Sequence, residues 1–171
     1  MNYKYKCGDE IIKVFVYNDN YHTTVTVRDN VTNKRYERTI RENENGKFFT
    51  WNKNRIYLDD WVRISMKELK DKIDKKEWVT PDDLCQAILT DGIDNVRFII
   101  PLDIISGDKS YTNETKDTVC VVKEKWLMEV KNNYKLYLVP EKPDKTVVSG
   151  MIYYTSDMLT LIRMGYIEII L

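Results

Sequence analysis

A chain of 171 residues, with 43% hydrophobic and 32% charged side chains, lies in the globular range and can bury roughly two thirds of its unfolded surface, as one domain or two small ones. Its 27 basic and 27 acidic side chains leave no global field to hold nucleic acid or an anionic membrane, and they argue against an acidic nucleic-acid mimic. The first residues, MNYKYKCGDE, lack the apolar core of a signal peptide, and no apolar run has the roughly 18–20 residues of a membrane helix, so a cytoplasmic protein with no membrane partner is expected.

From Glu10 to Ile64 apolar and polar residues alternate between short polar turns, which is the period of strands. Five strands fit. Ile11 to Tyr17 leads to a turn at Asn18-Asp19-Asn20, and His22 to Arg28 leads to Asp29-Asn30. Lys34 to Glu42 leads to Asn45-Gly46, two residues that tolerate positive φ and therefore mark a hairpin. The last two strands flank Asn52-Lys53-Asn54. Residues 1–64 are thus expected to form an antiparallel β-meander or a small barrel.

Residues 65–171 are expected to be a mixed α+β region with three short helices, which makes the fold class α+β. Ser65-Met66-Lys67-Glu68 is a capping box ahead of a lysine-rich helix with Met66, Leu69 and Ile73 at helical spacing. This stretch is the one candidate boundary, and the two regions also fit one continuous domain. Thr80 as N-cap, Pro81, the acids Asp82 and Asp83 at the positive end of the dipole, and Gly92 as the stop bound a second helix with Leu84, Cys85, Ile88 and Leu89 buried. VRFIIPLDII reads as a buried strand bent at Pro101. Thr118 to Val130 and Tyr134 to Val139 form a hairpin about Asn132-Asn133, and Val147 to Tyr154 continues the sheet. Ser156 caps a helix ended by Gly165, and YIEIIL closes the chain as a core strand, with Tyr153-Tyr154 also in the core.

The densest chemistry lies in FFTWNKNRIYLDDW, Phe48 to Trp61. A three-residue loop at Asn52-Lys53-Asn54 would pair Trp51 with Arg55, Phe49 with Tyr57 and Lys47 with Asp59, and set Phe48, Thr50, Ile56 and Leu58 on the opposite face. Extended through Asn45-Gly46, one face then collects Tyr36, Arg38, Phe49, Trp51, Arg55 and Tyr57 as a candidate binding surface. From Arg28 to Arg55 there are eight basic and four acidic side chains, a local excess inside a neutral chain. Arginines among aromatic rings suit a protein interface. They also suit a platform that stacks bases and holds phosphates. The third reading places the rings in the core with the arginine heads at its rim.

Reactive groups are scarce. His22 is the only histidine and lies at a strand start, so a Ser or Cys nucleophile has no evident base. The glycines are scattered singly, without a phosphate-binding loop. Cys7, Cys85 and Cys120 are too few and too far apart for a zinc site and read as free thiols; no metal and no cofactor is expected. Asp103 with Glu114 and Lys116 loosely matches the acids and lysine of a Mg²⁺ nuclease, but in a polar, loop-like context. A single alanine among abundant Lys, Asn, Ile and Tyr suggests an AT-rich coding sequence, as in low-GC bacteria and their phages. The expected function is a non-enzymatic binding protein, such as a phage or mobile-element inhibitor of a host or defence enzyme, with another protein as partner. Nucleic-acid binding by the basic aromatic face is the alternative, and Mg²⁺-dependent nuclease activity a weaker one.

Overall fold

Alternation begins before Glu10. Tyr3, Tyr5 and Cys7 alternate with Asn2, Lys4 and Lys6, and this segment is a strand that the sequence reading omitted, β1 (Asn2–Cys7). It pairs antiparallel with β2 (Glu10–Phe15), which pairs with β3 (Thr24–Arg28), which pairs with β4 (Arg35–Thr39). A single residue, Ile40, separates β4 from β5 (Arg41–Asn43), which forms a second antiparallel sheet with β6 (Gly46–Trp51) and β7 (Asn54–Tyr57). The computed structural model describes residues 1–17, 21–101, 117–122, 128–130, 133–141 and 151–171, so the expected turn at Asn18-Asp19-Asn20 lies outside the described residues.

The two sheets are tied at both edges. The Ile40 amide donates to the Thr23 carbonyl at 2.7 Å, and beyond β7 a bridge joins Tyr5 to Trp61 while the Val62 amide donates to the Lys4 carbonyl at 2.7 Å. They therefore wrap one core, made of Tyr5, Cys7, Ile12, Val14, Val25, Val27, Phe49, Trp51 and Ile56. Buried inside it, the Tyr5 hydroxyl donates to the Leu58 carbonyl at 2.8 Å. Loss of solvation at that depth pushes the Tyr5 phenol well above the ordinary tyrosine range. The chain divides into two compact units, Met1–Arg63 and Ile64–Leu171, of which this is the first.

The second unit sets three helices on one face of an antiparallel sheet, as the α+β expectation has it. In α1 (Met66–Asp74) Ser65 and Glu68 form the expected capping box. The Met66 amide donates to the Asp91 carboxylate at 3.0 Å, which ties the start of α1 to the end of α2 (Pro81–Asp91). Thr80 caps α2 as expected, and Asp83 does more than complement the dipole: its carboxylate accepts from the Thr80 amide at 2.8 Å, completing a second capping box. Residues 83 to 88 are all buried, so α2 hides most of its circumference and Leu89, expected in the buried stripe, is only half-buried. Because this cap is partly buried, Thr80→Ala is expected to cost about 1–2 kcal/mol in a urea titration while Thr80→Ser costs a few tenths; equal losses would show that the hydroxyl cap is not the stabilising contact.

A short 3₁₀ turn at Ile93–Asn95 leads into β8 (Arg97–Pro101), and the expected continuation past the proline to Ile105 lies outside the described residues. β8 is not buried throughout. Val96, Phe98 and Ile100 are buried, whereas Arg97 and Ile99 are half-buried, as one covered face dictates. β9 (Asp117–Val122), β10 (Met128–Val130), β11 (Asn133–Pro140), β12 (Met151–Tyr154) and β13 (Glu168–Ile170) complete the sheet. β13 pairs with β8, β8 with β9, and β11 pairs with β9, β10 and β12. The expected hairpin is the β10–β11 pair, in which Val130 faces Asn133. Cys120, Val122, Leu136, Leu138 and Ile169 join Phe98 and Ile100 under the helices.

The last helix, α3 (Thr155–Arg163), contributes Met158, Leu159 and Ile162 to this core. Its N-cap is Tyr154, without a side-chain bond, and Ser156 falls inside the first turn, contrary to the expected cap. Thr155 is fully buried at the helix start, so packing rather than capping fixes the boundary. The far end follows expectation: Gly165 at φ +80° donates to Ile162 at 3.1 Å, and Tyr166 donates to Leu161 at 2.9 Å, the paired bonds of a Schellman termination. Tyr154 and Tyr166, expected in the core, are exposed, whereas Ile167 and Ile169 are buried. Each phenol lies on the uncovered side of an alternating or terminating segment.

Candidate functional site

The geometry of the aromatic stretch turns on two residues. Asn52 and Lys53 both have positive φ, +47° and +64°, which makes the β6–β7 connection a two-residue hairpin of the primed class, whose twist matches the strands. The three-residue loop expected from the sequence is therefore incorrect, and the pairing shifts by one: Trp51 faces Asn54, Thr50 faces Arg55, Phe49 faces Ile56 and Phe48 faces Tyr57. A slip of one residue moves every side chain of the strand to the other face. Arg55 and Tyr57 thus part company with Phe49 and Trp51, and Ile56 replaces them in the core.

The earlier turn shifts as well. Asn43 faces Gly46 and the turn residues are Glu44 and Asn45, with the Asn43 side chain accepting from the Asn45 amide at 2.9 Å. This moves the register by an even step, so Tyr36, Arg38 and Ile40 stay on the side of Phe49 and Trp51, as expected. Leu58 rather than Asp59 lies opposite Lys47, its amide donating to the Lys47 carbonyl at 2.9 Å; the expected Lys47–Asp59 pair does not form.

Two clusters result. On the core side Phe49 is fully buried, edge-on to Tyr5 at 5.8 Å. Trp51 is buried beside Tyr36, ring centres 5.7 Å apart, and the half-buried Arg38 lays its guanidinium 4.7 Å from the Trp51 ring centre and 5.6 Å from that of Tyr36. Arg38 and Tyr36 therefore close the rim of a packed core, at the cation–π spacing that orders an arginine head. On the outward side Arg41 faces Phe48, which faces Tyr57, and Arg55 sits 4.5 Å above the Phe48 ring. Phe48 and Tyr57 meet at 5.6 Å. The Tyr57 hydroxyl accepts from the Asn43 amide group at 3.0 Å, and this bond, with Arg55 alongside, draws the phenol below the ordinary tyrosine value.

Elsewhere, His22 is exposed and stacked flat on Tyr17, 4.0 Å apart. Cys7, Cys85 and Cys120 are free and buried. Burial pushes the Cys120 thiol up to about 11, and burial with the nearby Asp82 carboxylate pushes Cys85 up to about 12, far from a thiolate nucleophile at neutral pH. Among the described residues no three His, Cys, Asp or Glu side chains converge as a metal-ligand set. Asp103, Glu114 and Lys116 lie outside the described residues. No helix among the described residues is long and apolar enough to cross a membrane. No protein-family model, curated protein or solved structure matches the chain.

Proposed function

We propose that this chain is a non-catalytic binding protein that works by protein–protein contact through the outward cluster of its N-terminal unit, Arg41, Arg55 and Tyr57 around the buried Phe48 ring, with Tyr36 and Arg38 on the adjoining rim. The observation that carries this reading is the pre-ordering of two arginine heads over aromatic rings, Arg55 on Phe48 and Arg38 on Trp51. A guanidinium already held in place loses little rotamer freedom on docking, and arginine with tyrosine and tryptophan is the chemistry that dominates interface energetics. A cytoplasmic accessory factor of a phage or mobile element, inhibiting a host or defence enzyme by covering it, suits the length, the balanced charge and the coding bias.

The test compares wild type with Arg55→Ala and Tyr57→Ala as baits, followed by affinity measurement on the protein that wild type retains. Each substitution is expected to weaken binding by about 5- to 30-fold, the range that separates an interface anchor from a neutral contact. Circular dichroism of the free variants should be unchanged, because both side chains lie outside the core. Unaltered affinity in both would show that the partner docks elsewhere.

A further inference from the structure

The four-stranded sheet of the N-terminal unit carries a second charged feature, on its outward face and independent of the cluster above. Tyr5, Ile12, Val14, Val25 and Val27 point into the core, so their alternates point away from it. Along one cross-strand rung the register sets Lys4 opposite Lys13, Lys13 opposite Arg28, and Arg28 opposite Arg35. Four strands therefore contribute four cations in one straight row, about 14 Å long at the usual strand spacing. Lys13, Arg28 and Arg35 are exposed and Lys4 is half-buried. The next rung on one side holds Asn2, Phe15, Thr26 and Glu37; on the other side, Lys6 faces Ile11.

Like charges directly opposite each other destabilise a sheet. Natural sheets alternate sign or use threonine at such positions, as the neighbouring Thr24–Thr39 pair does here. Local bonding answers part of the row: the Arg28 side chain donates to Asn33, and Lys4 at its end has a partner of its own within the fold. Folding does not ask for this arrangement, whereas an anion laid across the strands would convert three repulsive contacts into attraction.

We infer that the row Lys4–Lys13–Arg28–Arg35 is a track for the phosphate backbone of single-stranded nucleic acid. The choice of ligand rests on what adjoins the row. Phe15 stands on the same face two residues beyond Lys13, its ring edge-on to Tyr17 at 4.9 Å, and Tyr17 stacks on His22. A line of cations beside half-buried aromatic faces is how strands are held without regard to sequence, phosphates on the cations and bases on the rings. An acidic protein surface would use the cations but has no need of the aromatic ledge. A duplex presents phosphates but keeps its bases stacked away from those rings.

The probe is a fluorescently labelled oligothymidylate of about 15 nucleotides, with the corresponding duplex and poly-glutamate as competitors, followed by anisotropy over a range of KCl concentrations. Three phosphate contacts at the exposed Lys13, Arg28 and Arg35 predict a slope of log affinity against log salt of about −2, near −0.7 per contact. Lys13→Thr and Arg35→Thr should each lower affinity severalfold and make the slope shallower by about 0.7. Both should leave the urea midpoint of the free protein unchanged or higher, since each removes a like-charge pair. That second readout separates lost binding from lost folding. Phe15→Leu should weaken binding without altering the slope. No retention of the oligonucleotide at low salt, a slope unaffected by the row variants, or equal competition by poly-glutamate would overturn the inference. None of these outcomes bears on Arg55 and Tyr57, which are left intact in every variant.

Discussion

Phe49→Ala is expected to cost the N-terminal unit about 3–5 kcal/mol, most of the stability a domain of that size holds in reserve. The ring is fully buried, edge-on to Tyr5 and opposite Ile56, and its neighbours belong to strands that close on each other at Ile40 and at the Tyr5–Trp61 bridge. A wall closed at both edges relaxes poorly into a cavity, which places the cost toward the upper end of the range. Phe48→Ala, one residue away, should cost distinctly less. Phe48 is buried as well, but by the side chains of Arg55 above it and Tyr57 beside it on the outward face, and such long side chains at a surface can settle into the space left behind. Amide exchange in β1 to β7 under mild denaturant would measure both. A Phe48 loss equal to or larger than the Phe49 loss would mean that the register is the one with the three-residue loop.

That comparison bears on how much of this fold is written locally. Helix ends were legible because their signals are single residues with one dominant use: Ser65 with Glu68, Thr80 with Pro81, and the glycines at 92 and 165 all sit where the sequence places them. Period-two alternation located β2, β3, β6 and β7 within a few residues, because each buries residues of one face in the core, whereas Lys34 to Glu42, expected as one strand, is divided at Ile40 into β4 and β5, which have no buried residue. β1 is hard to read although it alternates as well; its outward residues Asn2, Lys4 and Lys6 alternate with phenols rather than aliphatic side chains, which gives little apolar contrast.

What the sequence withheld was register. Asn-Lys-Asn can close a hairpin with two residues or three, and the two-residue form requires Lys53 at positive φ, a conformation lysine seldom adopts. The cost of that single dihedral is outweighed by the burial of Ile56 against Phe49, a contact between strands that no local signal announces. Its consequence for the candidate site is large: four of the six residues assigned to one face, Tyr36, Arg38, Phe49 and Trp51, do gather, while Arg55 and Tyr57 are carried to the other side, where they meet Phe48. The basic row across β1 to β4 has the same origin. Lys4, Lys13, Arg28 and Arg35 are unremarked in sequence because each belongs to a different strand, and only pairing makes them neighbours.

The C-terminal unit is expected to lose stability steeply in alkali, and two thiols set the window. Cys85 and Cys120 are fully buried, Cys120 in the apolar core and Cys85 beside Thr155 and Asp82, and burial pushes their pKa values up to about 12 and about 11 from an unfolded value of 9.0. Below pH 9 both thiols are protonated in either state, and their burial favours the fold in full. Above pH 9 the unfolded chain releases two protons that the native unit keeps, so stability falls by up to about 1.4 kcal/mol per pH unit for each thiol. Between pH 9 and 11 the two together remove about 4 kcal/mol, a large share of the stability of a marginal domain. Urea midpoints measured by circular dichroism from pH 8 to 11 should therefore drop sharply in wild type and much less in a Cys85→Ala, Cys120→Ala variant. That variant starts from a lower stability, since each sulfur leaves a small void, but the slope is independent of the starting point. Lysines and tyrosines ionise in the same range in both proteins, and they set the residual slope. Parallel curves for the two proteins would show that the thiols are hydrated in the native unit, and would remove Cys85 and Cys120 from the core under the helices.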